Sequence, residues 1–182
     1  MEGLRELLKL ILTLEGRAPA RTQPASLDAL FRDLSAARPR RPPQEVENLL
    51  WSTWSSHPVR EAEQALEAAT RAIAHEQYDR ARRLLDPLLD AYPDWAEAWN
   101  KRATLFYLQG RDAESFDDIR RTLELEPRHF GAICGFAQIC LRRGERAAAL
   151  SAFEIALGIN PHMGGVHAAV EDLRESLADS LH

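Results

Sequence analysis

Histidine and cysteine pairs are the first candidates for chemistry, because imidazole and thiolate groups bind metals and act in nucleophilic catalysis. His162 and His167 have no carboxylate or thiolate at a fixed spacing beside them, which makes a poor metal site. Cys134 lies near His129 in the sequence, but no third group can be assigned to orient that pair. Glycine-rich phosphate loops and zinc-protease motifs are absent. The sequence therefore predicts no catalytic residue, no metal site, no cofactor and no enzymatic activity.

A local concentration of positive charge stands out in a chain whose net charge is −5. Its members are Lys101, Arg102, Arg128 and His129. Such a group could hold an acidic segment of a partner by charge-assisted hydrogen bonds. Four acids nearby in the sequence could pair with it instead: Asp94, Glu97, Glu124 and Glu126. We favour this second interpretation. Because the clustered basic face typical of nucleic-acid binding is missing, no nucleic-acid partner is expected.

The elements that must position these residues are helical, since Ala, Leu, Glu and Arg far outnumber Val, Ile and Thr. Pro93, Pro127 and Pro161 recur every 34 residues, each at the predicted end of a helix. Twenty-four residues before each proline stands a small residue that lets two helices approach closely: Ala69, Ala103 and Ala137. Gly110 and Gly144 fall between paired helices, where a left-handed C-cap is useful, and Glu76 takes that place in the first unit.

These columns resemble the tetratricopeptide repeat (TPR) family, whose unit is 34 residues long. The match covers three repeats, at 62–95, 96–129 and 130–163. The segments 99–108 and 126–132 also resemble a group of largely uncharacterised bacterial repeat proteins, which carry a Trp-x-x-Trp segment like that of Trp51 and Trp54. The resemblance implies an all-α fold: a right-handed superhelix of antiparallel helical hairpins with an N-terminal helical extension and a C-terminal capping helix.

Within this frame we predict helix pairs at 60–75 with 78–90, 94–109 with 112–125, and 128–143 with 146–159. A capping helix is predicted at 164–180, within a terminal region 164–182, because the last repeat otherwise exposes its stacking surface. Residues 26–61 are predicted to form a degenerate hairpin, with helices at 27–37 and 44–55, that caps the array. Residues 1–25 are predicted to be a helix at 3–15 followed by a linker. The basic, proline-rich stretch 38–43 is interpreted as a stiff linker rather than a polyproline ligand.

The family architecture implies that the first helix of each pair lines a concave groove. The predicted groove residues are Leu66, Thr70, Ile73, Asn100, Lys101, Thr104, Tyr107, Cys134, Gln138 and Leu141. Mixed polarity suits a helix or an extended peptide, and Tyr107 is the natural aromatic anchor. The alternative is that the terminal helix or the N-terminal segment covers some of these residues. The clamp by which some family members grip chaperone C-termini needs two Asn and two basic residues, and only Lys101 matches.

The leading hypothesis is thus a non-catalytic scaffold or adaptor that binds a peptide or helix of a partner protein. A self-associating structural subunit, such as a homodimer, and an accessory subunit of a larger complex are kept as alternatives. No apolar run is long enough to span a membrane. Neither a secretion signal nor a transit peptide is recognised, and Cys134 and Cys140 are too far apart on one helix to bridge. A cytoplasmic location is expected.

Overall fold

The structure, a computed structural model, describes residues 2–36 and 40–179. Within these residues the chain forms ten α-helices and no strand, which confirms the all-α prediction. The helices are α1 (Glu2–Leu12), α2 (Ser26–Leu34), α3 (Pro43–Ser55), α4 (Arg60–Ala74), α5 (Tyr78–Ala91), α6 (Ala96–Leu108), α7 (Asp112–Leu125), α8 (Phe130–Arg142), α9 (Arg146–Ile159) and α10 (Gly164–Asp179). Two predicted elements, the helix at 27–37 and the terminal region 164–182, end at residues outside the described ranges, namely 37 and 180–182. Arg38 and Pro39 of the predicted linker also lie outside them.

Three antiparallel pairs, α4 with α5, α6 with α7 and α8 with α9, form the body of the fold, and α10 packs on α9. The second helix of each pair ends two residues before its proline, at Ala91, Leu125 and Ile159. Gly110 and Gly144 adopt φ values of 71° and 76° between paired helices. Glu76 takes the same left-handed conformation, with φ 58°, in the first pair, at the cost that a Cβ atom brings in this region.

Packing in the core explains why a small residue stands twenty-four positions before each repeat proline. Ala69, Ala103 and Ala137 are at most 3% exposed, at positions where the paired helices meet. One buried cluster joins the first pair to the start of the second. A larger one joins α1, α2 and α3 to the second and third pairs and to α10. The N-terminal helices are therefore part of the main core.

The hairpin of α2 and α3 is the element whose placement differs most from expectation. We expected residues 26–61 to cap the first repeat, but the structure places α3 across the first helices of the pairs, in contact with α4 and α6. Its buried face explains this, because Val46, Leu50 and Trp54 join the core of the second and third pairs. Leu49, also on α3, is 37% exposed. Helix α2 begins at Ser26, one residue before the predicted start at residue 27.

The N-terminal helix and linker wrap around one edge of the array. α1 packs on α7 and α9, the second helices of their pairs, through buried side chains that include Leu4, Leu7 and Ile11. The linker then crosses the turns between pairs, where the Ala20 N–H donates to the Leu125 carbonyl at 2.8 Å. The Gln23 side chain donates to the Asp94 carbonyl at 3.2 Å. Residues 2–36 and 40–55 thus run from the second-helix face to the first-helix face.

Candidate functional site

The groove predicted from the sequence is the surface formed by the first helices α4, α6 and α8, and helix α3 lies on part of it. At one end of α3 the Trp95 indole N–H donates to the Trp54 carbonyl at 2.7 Å. At the other end the Asn160 side chain donates to the Glu47 carboxylate at 3.0 Å. α3 therefore crosses the N-terminal ends of α6 and α8.

An aromatic cluster fastens α3 to α8. The Trp54 ring stacks on His129 at 4.1 Å and meets Phe130 at 5.3 Å. Trp51 packs edge-on against Trp54 and Phe130. A Cβ atom at Gly131 would lie 2.4 Å from the Trp51 ring, so this close approach requires glycine at that position.

A buried polar network lies beneath these rings. Glu97 and His129 are fully buried, and their side chains meet at 2.9 Å. The Ala132 N–H donates to His129 Nδ1, so Nε2 carries the proton and donates to Glu97. The Asn100 amide donates to the same carboxylate at 2.9 Å, and Lys101 forms an ion pair with it at 2.8 Å. The network links the second pair to the third directly under α3.

The electrostatics of this network keep Glu97 ionised. Burial acts to raise the pKa of the Glu97 carboxyl, but the hydrogen bond from His129 and the charge of Lys101 outweigh it, and the pKa is lowered below its ordinary value. Lys101 also lies 5.6 Å from the Trp51 ring. Because both Lys101 and Asn100 are occupied in this way, they serve the junction between α3 and the array.

The other members of the basic group are paired as well. Arg102 donates two hydrogen bonds to Asp118 and one to Asp86, and burial raises the pKa of Asp118 despite this partner. Arg128 is held by Glu126 and by Asp28 of α2. Of the four acids expected to pair with this group, Glu97 and Glu126 do so, whereas Asp94 and Glu124 form ion pairs with Arg121. Asp118, Asp86 and Asp28 are partners that the sequence did not indicate.

The predicted groove residues of α4 sit beside α3 rather than under it. Leu66 and Thr70 border a cleft of about 350 Å³ between α3 and α4, but Leu66 is only 2% exposed and belongs to the core of the first pair. Lys101 forms one wall of this cleft, and Ser52 and Ser55 of α3 face it from the other side. Ile73 is half-buried and packs against the core of the first pair, so it contributes to folding more than to an open surface.

A strip of the groove further along α6 and α8 carries no described contact with α3. Thr104 and Gln138 are exposed, and Tyr107 and Leu141 are half-buried. The Tyr107 ring is covered on one side by Arg142 at 4.2 Å, and Arg142 also donates to the Tyr107 carbonyl. These four residues, with Leu108 at 44% exposure, form what we call the open strip.

The two cysteines are structural in character. Burial raises the pKa of both the Cys134 and the Cys140 thiol to about 12, and the nearby Glu47 carboxylate adds to the shift at Cys134. Thiols with such pKa values remain protonated at neutral pH, and the thiolate is the reactive form.

We therefore expect iodoacetamide to modify the folded protein at pH 7.5 at least about tenfold more slowly than free cysteine. Mass spectrometry over time would measure this. Full modification at the rate of the guanidinium-unfolded chain would show that the thiols are not protected.

The residues missed by sequence reasoning are those that place α3 on the groove. Trp51 and Trp54 form a recognisable motif, but the motif by itself does not indicate which surface they cover. The signal that could have found the contact is Gly131, a glycine inside a groove-lining helix opposite two tryptophans. Its missing side chain marks the place where an aromatic ring can approach the backbone.

Stacked antiparallel hairpins, with their first helices side by side on one face, define the chain as a helical-repeat protein. No family model matches the chain. A TPR repeat-containing protein of Rhizobium etli is 34% identical over 152 residues, which span 84% of this chain and 74% of that protein. The chain belongs to the TPR family, as its repeats predicted.

Solved structures show the same fold at low sequence identity. The TPR domain of Sgt2 from Aspergillus fumigatus superimposes with a TM-score of 0.61 at 15% identity, covering 68% of this chain and 83% of that one. MamA (AMB-1) gives 0.53 at 19% identity, covering 83% and 80%. The TPR domain of P58(IPK) gives 0.55 at 18% identity, covering 97% of this chain and 47% of that one. Among the helices that the structure describes, none has the length and apolar character needed to cross a membrane.

Proposed function

We propose that this protein is a non-catalytic interaction scaffold that binds a peptide or helix of a partner protein along the open strip of its groove. The observation that carries the proposal is the composition of that strip. Gln138 offers its side-chain amide, and the Thr104 hydroxyl, which donates to the Asn100 carbonyl at 3.0 Å, can still accept a hydrogen bond. Both residues are exposed next to the apolar surfaces of Tyr107, Leu108 and Leu141. Polar groups that bond a peptide backbone, beside pockets for its side chains, are what extended-peptide recognition requires.

In this proposal helix α3 is a fixed wall of the site rather than a lid that a partner removes. Val46, Leu50 and Trp54 are each at most 2% exposed. Burying a large apolar side chain contributes about 1.5–3 kcal/mol, so lifting α3 would cost roughly 5 kcal/mol or more before a partner made any contact. A partner that uses the open strip avoids this cost.

The charges support a protein partner over a nucleic acid. Lys101, Arg102 and Arg128 are engaged by carboxylates of the same chain, so they are not free to neutralise phosphates. The free thiols Cys134 and Cys140 support a reducing compartment, and we propose the cytoplasm.

We expect Tyr107→Ala combined with Gln138→Ala to weaken binding of a captured partner at least about tenfold, the loss that follows when an aromatic anchor and a backbone contact are removed. The partner would be identified by affinity capture and its dissociation constant measured by calorimetry. Arg83→Ala, an exposed position on α5, is the control and should bind normally.

An unchanged dissociation constant in the double variant, with the circular dichroism spectrum intact, would contradict binding along the open strip. Equal losses in the double variant and in Arg83→Ala would contradict it too, because they would show no preference for the groove.

A further inference from the structure

An apolar cleft lies at the opposite side of the array from the open strip, between the end of α1 and helix α9. It has a volume of about 400 Å³, and its apolar lining consists of Ile11, Leu12, Leu14, Pro127, Ile155 and Ile159. Gly158 also faces it, and a Cβ atom there would meet no heavy atom within 4 Å. The cleft is therefore open enough to accept a side chain from outside.

Beside this cleft stands the most exposed large apolar side chain in the described part of the chain. Leu12 is 56% exposed at the C-terminal end of α1, while its neighbour Ile11 is 1% exposed. An apolar projection and an apolar hole thus occupy the same small surface. Self-complementary surfaces of this kind are what a two-fold symmetric interface requires, because the same patch is used on both subunits.

The charges around the cleft have the same self-complementary character. Glu15 and Arg17, both exposed, line the cleft together with Leu12. Arg128 lines it too, but its guanidinium is already paired with Glu126 and Asp28. The Arg17 Nε group donates to the Thr13 carbonyl at 3.1 Å, which leaves the outer guanidinium nitrogens available. In a two-fold pair, Glu15 of each copy can face Arg17 of the other, so that opposite charges meet twice.

We infer that this surface binds a second copy of the chain, with Leu12 of each copy entering the cleft of the other. The interface involves one cleft and a few side chains on each copy. It is therefore small, and the dimer is of the weak, concentration-dependent kind. The surface lies on α1 and α9, whereas the open strip lies on α6 and α8, so partner binding and self-association can fail independently.

Sedimentation equilibrium of the full chain, from about 10 µM to about 1 mM, tests the inference by mass action. The weight-average mass should rise with concentration from the 20.5 kDa of one chain toward twice that value. Leu12→Arg and, separately, Gly158→Met, which fills the cleft, should each raise the dimer dissociation constant at least about tenfold. Leu49→Arg, at an exposed leucine on α3, is the matched control and should leave the constant unchanged.

Charge reversal gives a second, independent readout. Glu15→Arg alone and Arg17→Glu alone should each weaken the dimer, and the double reversal should restore it, because the opposite charges then meet again. A mass that stays at one chain across the whole range would overturn the inference. A dimer that persists in both Leu12→Arg and Gly158→Met would overturn it as well, since its interface would then lie elsewhere.

Discussion

Replacing Trp54 by alanine should lower the free energy of unfolding by about 3–5 kcal/mol, the range for truncating a buried large aromatic side chain. Trp54 is 2% exposed and touches Phe31 of α2, Trp51 of α3 and Phe130 of α8. It is the side chain that joins the N-terminal hairpin to the array. A loss of this size would be a large part of the stability of a typical domain.

Urea unfolding followed by circular dichroism at equilibrium measures the effect. Leu49→Ala is the matched control, because Leu49 lies on the same helix but is exposed. It should change the stability by no more than about 0.5 kcal/mol. A cost below about 1 kcal/mol for Trp54→Ala would mean that α3 adds little to the fold.

The second large effect is expected at Glu97. Changing it to glutamine removes the charge that Lys101 and His129 face in a buried site. Breaking a buried ion pair by removing one partner costs about 3–5 kcal/mol. We expect about 3 kcal/mol for this shape-conserving change, because Lys101 retains some access to water.

The lowered pKa of Glu97 determines how the stability difference between wild type and Glu97→Gln changes with pH. The pKa of Glu97 is lowered in the folded protein, so the folded state holds fewer protons than the unfolded chain at acidic pH. The stabilisation is fully present above the carboxyl's unfolded pKa of about 4.3 and is lost as the pH falls through the lowered folded value. The stability gap between wild type and Glu97→Gln should therefore be constant from about pH 5 to pH 7 and shrink below about pH 4.

Glu67→Gln provides the comparison, since Glu67 is exposed and pairs with Arg71 of the same helix. Its effect should stay within about 0.5 kcal/mol at every pH. A Glu97→Gln gap that is small at pH 7, or that grows as the pH falls, would show that the carboxylate is not held as an ion in the core.

Most of the fold could be predicted from the repeat pattern in the sequence. The helices of the three pairs and α10 begin and end within two residues of their predicted positions, because proline and left-handed residues act locally on the backbone. Pro127 stops a helix wherever that helix is packed, and Gly110 fits the turn without reference to tertiary contacts. Local signals of this kind can be read from a single sequence.

The placement of α3 could not be read in the same way. The apolar stripe of Val46, Leu50 and Trp54 shows which face is buried but not which surface buries it. Stacking on α4 as a further hairpin and lying across α6 satisfy the same stripe. Which arrangement forms depends on how residues far apart in the sequence fit together, above all on the space that Gly131 leaves for Trp51.

The partners in the ion pairs could not be predicted from the sequence for a related reason. Arg102 and Asp118 are 16 residues apart and meet because α6 and α7 are antiparallel. Their partnership follows from the register of the hairpin, which the repeat defines only approximately. Glu97 and His129 lie on successive pairs, so their contact depends on the stacking of repeats. The sequence could accordingly assign the groove candidates to the first helices of the pairs, while the side chains that contact them could not be predicted.

Native-state hydrogen exchange of the amides in residues 47–54 tests whether α3 is a fixed wall of the groove that leaves only the open strip for a partner. We predict that these amides exchange through the same global opening as those of α6 and α8, with equal free energies and equal dependence on urea. Exchange of α3 through a separate opening, at a free energy at least about 2 kcal/mol lower, would contradict this prediction. In that case α3 would be a displaceable segment.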